Sequence, residues 1–297
     1  MSRDTSPRPD PTSRRQLRAL FRARGFRPRR RLGQTFLTDA NIVRKIVALA
    51  DLHGEAPVLE IGAGAGAVTR ELAPRARRLV AVEIAPTLLA ILEETVGDRA
   101  EIVPADVLEL DWAALLGAEP RGSWIVVANL PYAITGPVIL KLMDARQWLD
   151  RLVVMVQQEV ADRLVAEPGL RARGMLTVIV EAICETKLAA RVSRTCFWPE
   201  PRVDSAVIAL TVRRPALVPQ QLEPAFREVV KAAFGTRRKM LLNALGGAAK
   251  LGLTKQEAKN ALSNCGIEPR RRAESLSAEE FVRLAAALPP HAQKDEQ

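Results

Sequence analysis

With 297 residues, 48% of them hydrophobic, the chain can fill one domain of ordinary size and a smaller second one, and no apolar run reaches the roughly 18 residues of a membrane helix. Three scattered cysteines, Cys184, Cys196 and Cys265, and two histidines, His53 and His291, argue against a metal cluster, a disulfide framework and a Ser-His-Asp triad, so a cytoplasmic protein with reduced thiols is expected. The net charge of +10 is unevenly placed: residues 1–31 hold 11 Arg and 2 Asp, residues 213–297 hold 15 basic and 9 acidic residues, and the middle holds 18 basic and 23 acidic.

Residues 1–11, rich in Pro, Ser and Asp, read as disordered. From Ser13 a short helix is expected with Leu17, Leu20 and Phe21 on one face and Arg14, Arg15, Arg18 and Arg22 around it. It leads into Arg29, Arg30 and Arg31, and the whole basic arm reads as RNA-facing. Thr38 or Asp39 can cap the next helix, striped by Ile42, Val43, Ile46, Val47 and Ala50. Strands over 57–61, 78–83, 100–104, 123–128 and 151–157 then alternate with helices over 67–74, 86–96, 111–116 and 135–147. This is the rhythm of a doubly wound, mostly parallel α/β sheet. Helices over 158–166 and 173–185 follow. Strands over 187–193 and 204–212 are close enough to form an antiparallel hairpin at the sheet edge. Beyond 214 the pattern is helical only, over 221–234, 238–249, 254–264 and 278–288, with a frayed tail from Pro289. Three parts are therefore expected: a basic arm over 1–31, an α/β domain over 32–213 and a small all-α domain over 214–297.

Two segments carry the chemistry, and both follow buried-strand patterns, which puts them at the carboxyl edge of a parallel sheet, where ligands bind. In the first, Glu60-Ile61-Gly62-Ala63-Gly64-Ala65-Gly66, the glycines let a ligand approach the backbone at a helix N-terminus. The spacing Gly62-x-Gly64-x-x-Ala67 also fits a dinucleotide fingerprint, so the acidic residues must discriminate. Glu83, 21 residues after Gly62, can accept ribose hydroxyls, and Asp106 after the third strand can hold an adenine amino group. Glu60 suits a ligand whose amino-acid part carries an ammonium. The ordered set describes S-adenosylmethionine better than NAD.

The second segment is Asn129-Leu130-Pro131-Tyr132. An exocyclic adenine amine is a poor nucleophile because its lone pair is delocalised into the ring. The Asn129 side-chain oxygen and the Leu130 carbonyl can bind its two N–H donors and favour a tetrahedral nitrogen. Pro131 fixes the turn, and Tyr132, the single tyrosine of the chain, can stack on a base taken out of its helix.

These motifs resemble the ribosomal RNA adenine N6-dimethyltransferases, most closely the bacterial KsgA type acting on small-subunit ribosomal RNA. The resemblance runs from Arg14 to Leu288 and includes Leu32-Gly33-Gln34-Thr35-Phe36-Leu37, Gln158-Glu159-Val160, Phe197-x-Pro199-x-Pro201-x-Val203-Asp204-Ser205, and Arg237-Arg238-Lys239. It implies a Rossmann-like class I methyltransferase fold with a seven-stranded sheet. It also implies that Gln34, Thr35, Leu37, Gly62, Gly64, Glu83, Asp106 and Asn129 line an S-adenosylmethionine pocket, and that Phe197 stacks on the target adenine opposite Tyr132. Thr35 stands where the family usually has Asn, which puts cofactor affinity in question rather than reaction type. The implied activity is N6-dimethylation of two adjacent adenosines in the 3'-terminal hairpin of small-subunit ribosomal RNA. The expected partner is the immature small ribosomal subunit, met by a monomer. Arg237, Arg238, Lys239 and Arg270, Arg271 and Arg272 of the helical domain would grip folded RNA through its phosphates. Competing readings are a large-subunit RNA methyltransferase of the resistance type, a non-catalytic ribosome-assembly factor, and an NAD dehydrogenase. Those large-subunit enzymes usually carry Ile at the position of Leu130.

Overall fold

The computed structural model describes residues 8–29, 33–52, 54–236 and 238–288. They form two compact units: one runs to Ala161 and resumes over Lys187–Thr211, and the other holds Asp162–Thr186 and the chain from Val212 onward.

The first unit begins with α1 (Arg14–Ala23), whose N-cap Ser13 accepts from the Gln16 amide. The chain then enters the short strand β1 (Phe36–Leu37) and α2 (Ala40–Ala50), where the Asp39 carboxylate caps the Asn41 and Ile42 amides. The expected alternation follows as β2 (Pro57–Ile61), α3 (Thr69–Leu72), β3 (Arg78–Glu83), α4 (Pro86–Val96), β4 (Glu101–Pro104), α5 (Trp112–Leu116), β5 (Trp124–Asn129), α6 (Thr135–Asp144) and β6 (Leu149–Gln157). Every residue of β2 is buried, as a parallel strand covered on both faces requires. After α7 (Gln158–Leu164) and α8 (Met175–Ile183), the strands β7 (Cys184–Val192), β8 (Phe197–Trp198) and β9 (Ser205–Val212) complete the strand set. The sheet order is β4-β3-β2-β5-β6-β9-β7, parallel from β4 to β6, with β9 antiparallel to β6. The direction of winding reverses between β2 and β5, the place where such a sheet opens a crevice at its carboxyl edge.

Several boundaries differ from the sequence reading. The helix expected over 67–74 is only Thr69–Leu72, because the glycine loop holds the chain in turns up to Val68. The short β1–β8 ribbon, pairing Phe36 with Trp198 and Leu37 with Phe197, carries no periodic signal at two residues per strand. Residues 8–11, expected to be disordered, pack: Pro11 is buried, the Pro9 carbonyl accepts from Arg70 at 3.1 Å, and Arg8 donates to the Glu93 carbonyl at 3.3 Å. The arm is docked as well. Leu17, Leu20 and Phe21 bury against Phe36, Ala65, Leu88 and Ile91, leaving the other face of α1 to its arginines.

The second unit contains α8, α9 (Glu223–Gly235), α10 (Leu241–Leu245), α11 (Lys255–Asn264) and α12 (Ala278–Ala286). Capping boxes at Thr254/Glu257 and Ser277/Glu280 start α11 and α12, as a Ser/Thr-x-x-Glu spacing predicts. The helix expected over 238–249 shortens to α10, followed by Gly246, Gly247 and a 3-10 turn over Ala249–Leu251, since two adjacent glycines favour a break. The expected domain boundary near 214 does not coincide with the division of the structure. Apolar nearly all round, α8 packs on α9 and α12 instead of serving as one more crossover helix of the sheet. Arg173, 1% exposed, ties its start in place by donating to the Ala166 carbonyl at 2.9 Å and the Leu276 carbonyl at 3.0 Å, and by pairing with Glu181. Among the described residues no helix is long and apolar enough to cross a membrane.

Candidate active site

Strand register alone brings the two motifs together. In the β2–β5 ladder Ile61 pairs with Ala128, so Gly62 and Asn129 leave the sheet side by side. Gly62 has φ +73°, and a Cβ there would meet the Asn129 carbonyl oxygen at 3.3 Å, so only glycine lets the two turns lie this close. Between them opens a cavity of about 330 Å³, within the range of small-molecule sites. Its wall includes Gln34, Thr35 and Leu37 from the β1 segment, Glu60, Gly62 and Gly64 from the glycine loop, Glu83 from β3, and Asn129, Leu130 and Pro131 from the end of β5.

Glu60 is the one charged side chain in the otherwise apolar β2, 3% exposed, and its Oε2 has no hydrogen-bond partner. Burial pushes its carboxyl up to about 8; Thr69, through side chain and backbone, pulls it down, and the charge of Glu83 raises it further. One unpartnered oxygen on a buried carboxyl, at the wall of a cavity, fits a ligand that brings a cationic donor.

Glu83 has a second task that its position in the sequence does not disclose. Its Oε2 accepts from the Gly64 amide at 2.9 Å, and its Oε1 accepts from the Ile84 and Ala85 amides at 2.9 and 3.0 Å. Three of about four lone-pair sites are thus engaged in shaping the loops, leaving room for one ribose hydroxyl more readily than for two. Asp106 lies two residues beyond Pro104, the partner of Glu83 in the β3–β4 ladder. Its Oδ1 accepts from the Leu108 amide at 2.9 Å, and it is not among the cavity-lining residues. Gln34 lines the cavity while its Oε1 accepts from the Arg29 amide at 2.9 Å, which closes the loop between arm and site.

At the end of β5, the Leu130 amide is anchored on the Met155 carbonyl at 3.1 Å and its side chain is buried. The Pro131 carbonyl accepts from the Ile134 amide and the Thr135 hydroxyl, both at 3.1 Å, fixing the turn into α6. The Asn129 side chain makes no hydrogen bond to any described residue and remains available. Tyr132 is outside the cavity lining, and its hydroxyl pairs with the buried Ser205 hydroxyl at 2.9 Å. Ser205 belongs to the Phe197–Ser205 motif, yet nothing in the sequence marks it as the partner of Tyr132, because a contact across 73 residues has no local signature. Phe197, expected to face a base, is 1% exposed and packed in the core with Leu37, Val43 and Val207. The β1–β8 pairing sets it opposite Leu37, one residue from the cofactor-side wall.

Of the expected RNA contacts, Arg30, Arg31 and Arg237 lie outside the described residues. Arg29, Arg238, Lys239, Arg270 and Arg272 are exposed. Arg271 is not free for a phosphate: it pairs with Glu280 and donates to the Ser275 hydroxyl at 3.1 Å, bracing the start of α12.

Residues 25–289 match the family described as ribosomal RNA adenine dimethylase. The chain is 45% identical over 278 residues to the ribosomal RNA small subunit methyltransferase A of Moorella thermoacetica, covering 91% of this chain and 96% of that protein. With the protein of the same name from Geobacillus thermodenitrificans the identity is 45% over 271 residues, covering 90% and 92%. Among solved structures it is similar to a dimethyladenosine transferase from Plasmodium falciparum, with TM-score 0.68 and 23% identity over 83% of this chain and 94% of that one. It is also similar to the 23S ribosomal RNA methyltransferase ErmE, with TM-score 0.65 and 27% identity over 85% and 99%. An α/β sheet with a glycine loop beside Asn129–Tyr132, matched over nine-tenths of its length, places the chain in one group: it belongs to the ribosomal RNA adenine dimethylase family.

Proposed function

We propose that the protein dimethylates N6 of two adjacent adenosines in the 3'-terminal hairpin of small-subunit ribosomal RNA, acting as a monomer on the immature small subunit with S-adenosylmethionine as methyl donor. The observation that carries the reading is the Asn129 side chain, without an internal hydrogen bond, on the wall of the same cavity as the glycine loop and the orphaned Glu60 oxygen. The small-subunit choice is supported by relatives at 42–45% identity that carry that name, against 27% for the large-subunit enzyme ErmE.

The residues present fit the cofactor. Glu60 would take its ammonium, Glu83 a ribose hydroxyl, and Gly62 and Gly64 the close approach of its chain to the backbone, while Asp106, outside the cavity lining, would reach only an adenine that extends beyond it. S-adenosylmethionine supplies an activated methyl group on a sulfonium. Asn129 Oδ1 and the Leu130 carbonyl accept from the adenine amine, draw its lone pair out of conjugation and aim it into the cavity. Because Leu130 is anchored on β6 and Pro131 on α6, these acceptors sit on rigid elements. Tyr132, steadied by Ser205, offers a ring to the extruded base. No strong base is required, since the amine sheds its proton readily once it has attacked. In the second round one N–H remains, so a single acceptor suffices. Arg29, Arg238, Lys239, Arg270 and Arg272 supply contacts to RNA phosphates.

Incubation with labelled S-adenosylmethionine and immature small subunits, followed by mass spectrometry of nucleosides, tests the reading. Dimethyladenosine in small-subunit RNA is expected. Modification of large-subunit RNA, or none, would overturn it. Asn129→Ala should leave RNA binding intact and abolish transfer.

A further inference from the structure

The β1–β8 ribbon ties the cavity-lining segment Gln34–Leu37, which contains β1, to β8, which begins at Phe197, the residue proposed for the adenine side. One side chain of α1 grips both sides of that ribbon. Arg14 Nε donates to the Thr38 hydroxyl at 3.0 Å, just past β1, and a terminal nitrogen donates to the Thr195 carbonyl and, at 3.4 Å, to the Phe197 carbonyl. The carbonyl between them, that of Cys196, accepts from the Thr38 amide at 2.8 Å and the Thr38 hydroxyl at 3.1 Å. Three successive carbonyls therefore converge on Arg14 and Thr38. A planar guanidinium with five donors in a fixed fork can serve several such acceptors at once, and an ammonium cannot do so in the same geometry. Docking of α1 does not depend on these bonds, because Leu17, Leu20 and Phe21 already bury against Phe36, Leu88 and Ile91.

We propose that Arg14 is a positioning residue: it locks the Thr195–Phe197 segment to the end of β1, so that the base-side and cofactor-side walls keep one spacing. The proposal rests on the reading of Phe197 as part of the adenine site. A misplacement on the order of 1 Å can cost roughly a hundredfold in rate without touching the reacting atoms.

Arg14→Ala and Arg14→Lys test it with two readouts. The first is independent of any substrate: Cys196 sits in the gripped segment, so its labelling by a thiol reagent should quicken by roughly tenfold in both variants, the size of one charge-assisted hydrogen bond, while Cys265 in the other unit labels at its original rate. The second is methyl transfer to small-subunit RNA. The expected result is a fall in kcat of roughly ten- to hundredfold, with the RNA KM and cofactor Kd within about threefold of wild type. Full rescue by Arg14→Lys would mean a charge contact to RNA and overturn the proposal. Unchanged Cys196 labelling, or quickened labelling with unchanged kcat, would overturn it equally. A wild-type protein that transfers no methyl group to small-subunit RNA would sink the functional reading instead, and the labelling would still report whether Arg14 holds the segment.

Discussion

Glu60→Gln removes a titratable group and little else, since the amide keeps the shape of the carboxyl. In the folded protein the carboxyl titrates at about 8 in place of the ordinary 4.5, chiefly because it is buried. A carboxyl raised in this way is protonated when folded and ionised when unfolded over the whole interval between those values, so the unfolded chain binds fewer protons and stability falls as pH rises. Each tenfold drop in proton concentration there costs about 1.4 kcal/mol. Between pH 5.5 and 8.5 wild type should therefore lose roughly 3 kcal/mol that Glu60→Gln does not lose, with no further divergence well above pH 8. Urea unfolding of both proteins at the two pH values measures the gap directly. Cofactor titration should mirror it: a cation beside Oε2 favours the ionised carboxyl, so wild-type affinity should rise by up to about tenfold per pH unit below pH 8, and the variant should stay flat. A stability difference between the two proteins that is the same at both pH values would refute the reasoning.

Three further outcomes are expected. Gly62→Ala places a Cβ 3.3 Å from the Asn129 carbonyl at φ +73°, and should destabilise the protein by about 1–2 kcal/mol in urea unfolding and weaken cofactor binding in calorimetry. Tyr132→Phe keeps the ring and loses the hydroxyl bond to Ser205, so kcat/KM for RNA should drop only about threefold to tenfold, whereas Tyr132→Ala should lose far more; equal losses would mean that the ring does not meet a base. Replacing Arg270 and Arg272 together by Ala should weaken RNA binding and lower the slope of log affinity against log salt by roughly one to two, while Arg271→Ala should appear mainly as lost thermal stability because of its pairing with Glu280.

The parallel sheet was legible because its strands carry short, nearly continuous apolar runs bounded by turns. β2, β3, β5 and β6 lie within two residues of their expected limits. The site was legible where it depends on residues next to one another, as in the glycine loop and Asn129–Tyr132. It was opaque where it depends on pairing across the chain. Nothing local marks Ser205 as the partner of Tyr132, or Glu83 as the acceptor for the Gly64 amide. Nor does one arginine among the four of α1 reveal that it is Arg14 that reaches the Thr195 carbonyl. The packing partners of α8 were opaque for a related reason: a helix apolar nearly all round states that it is covered, not by what.

The β1–β8 ribbon also constrains the order of events during synthesis. Phe36 must wait for Trp198, so one wall of the cavity lacks its brace until about two-thirds of the chain has left the ribosome. The sheet itself waits longer, because β9 enters between β6 and β7. The segment Asp162–Thr186, made earlier, clusters with a unit whose remainder starts at Val212. Contacts of such long sequence separation slow folding, since loop closure precedes any gain from the contact. Cofactor can stabilise only a chain whose pocket exists, so it should rescue full-length protein in refolding experiments and leave a fragment ending before residue 195 without benefit.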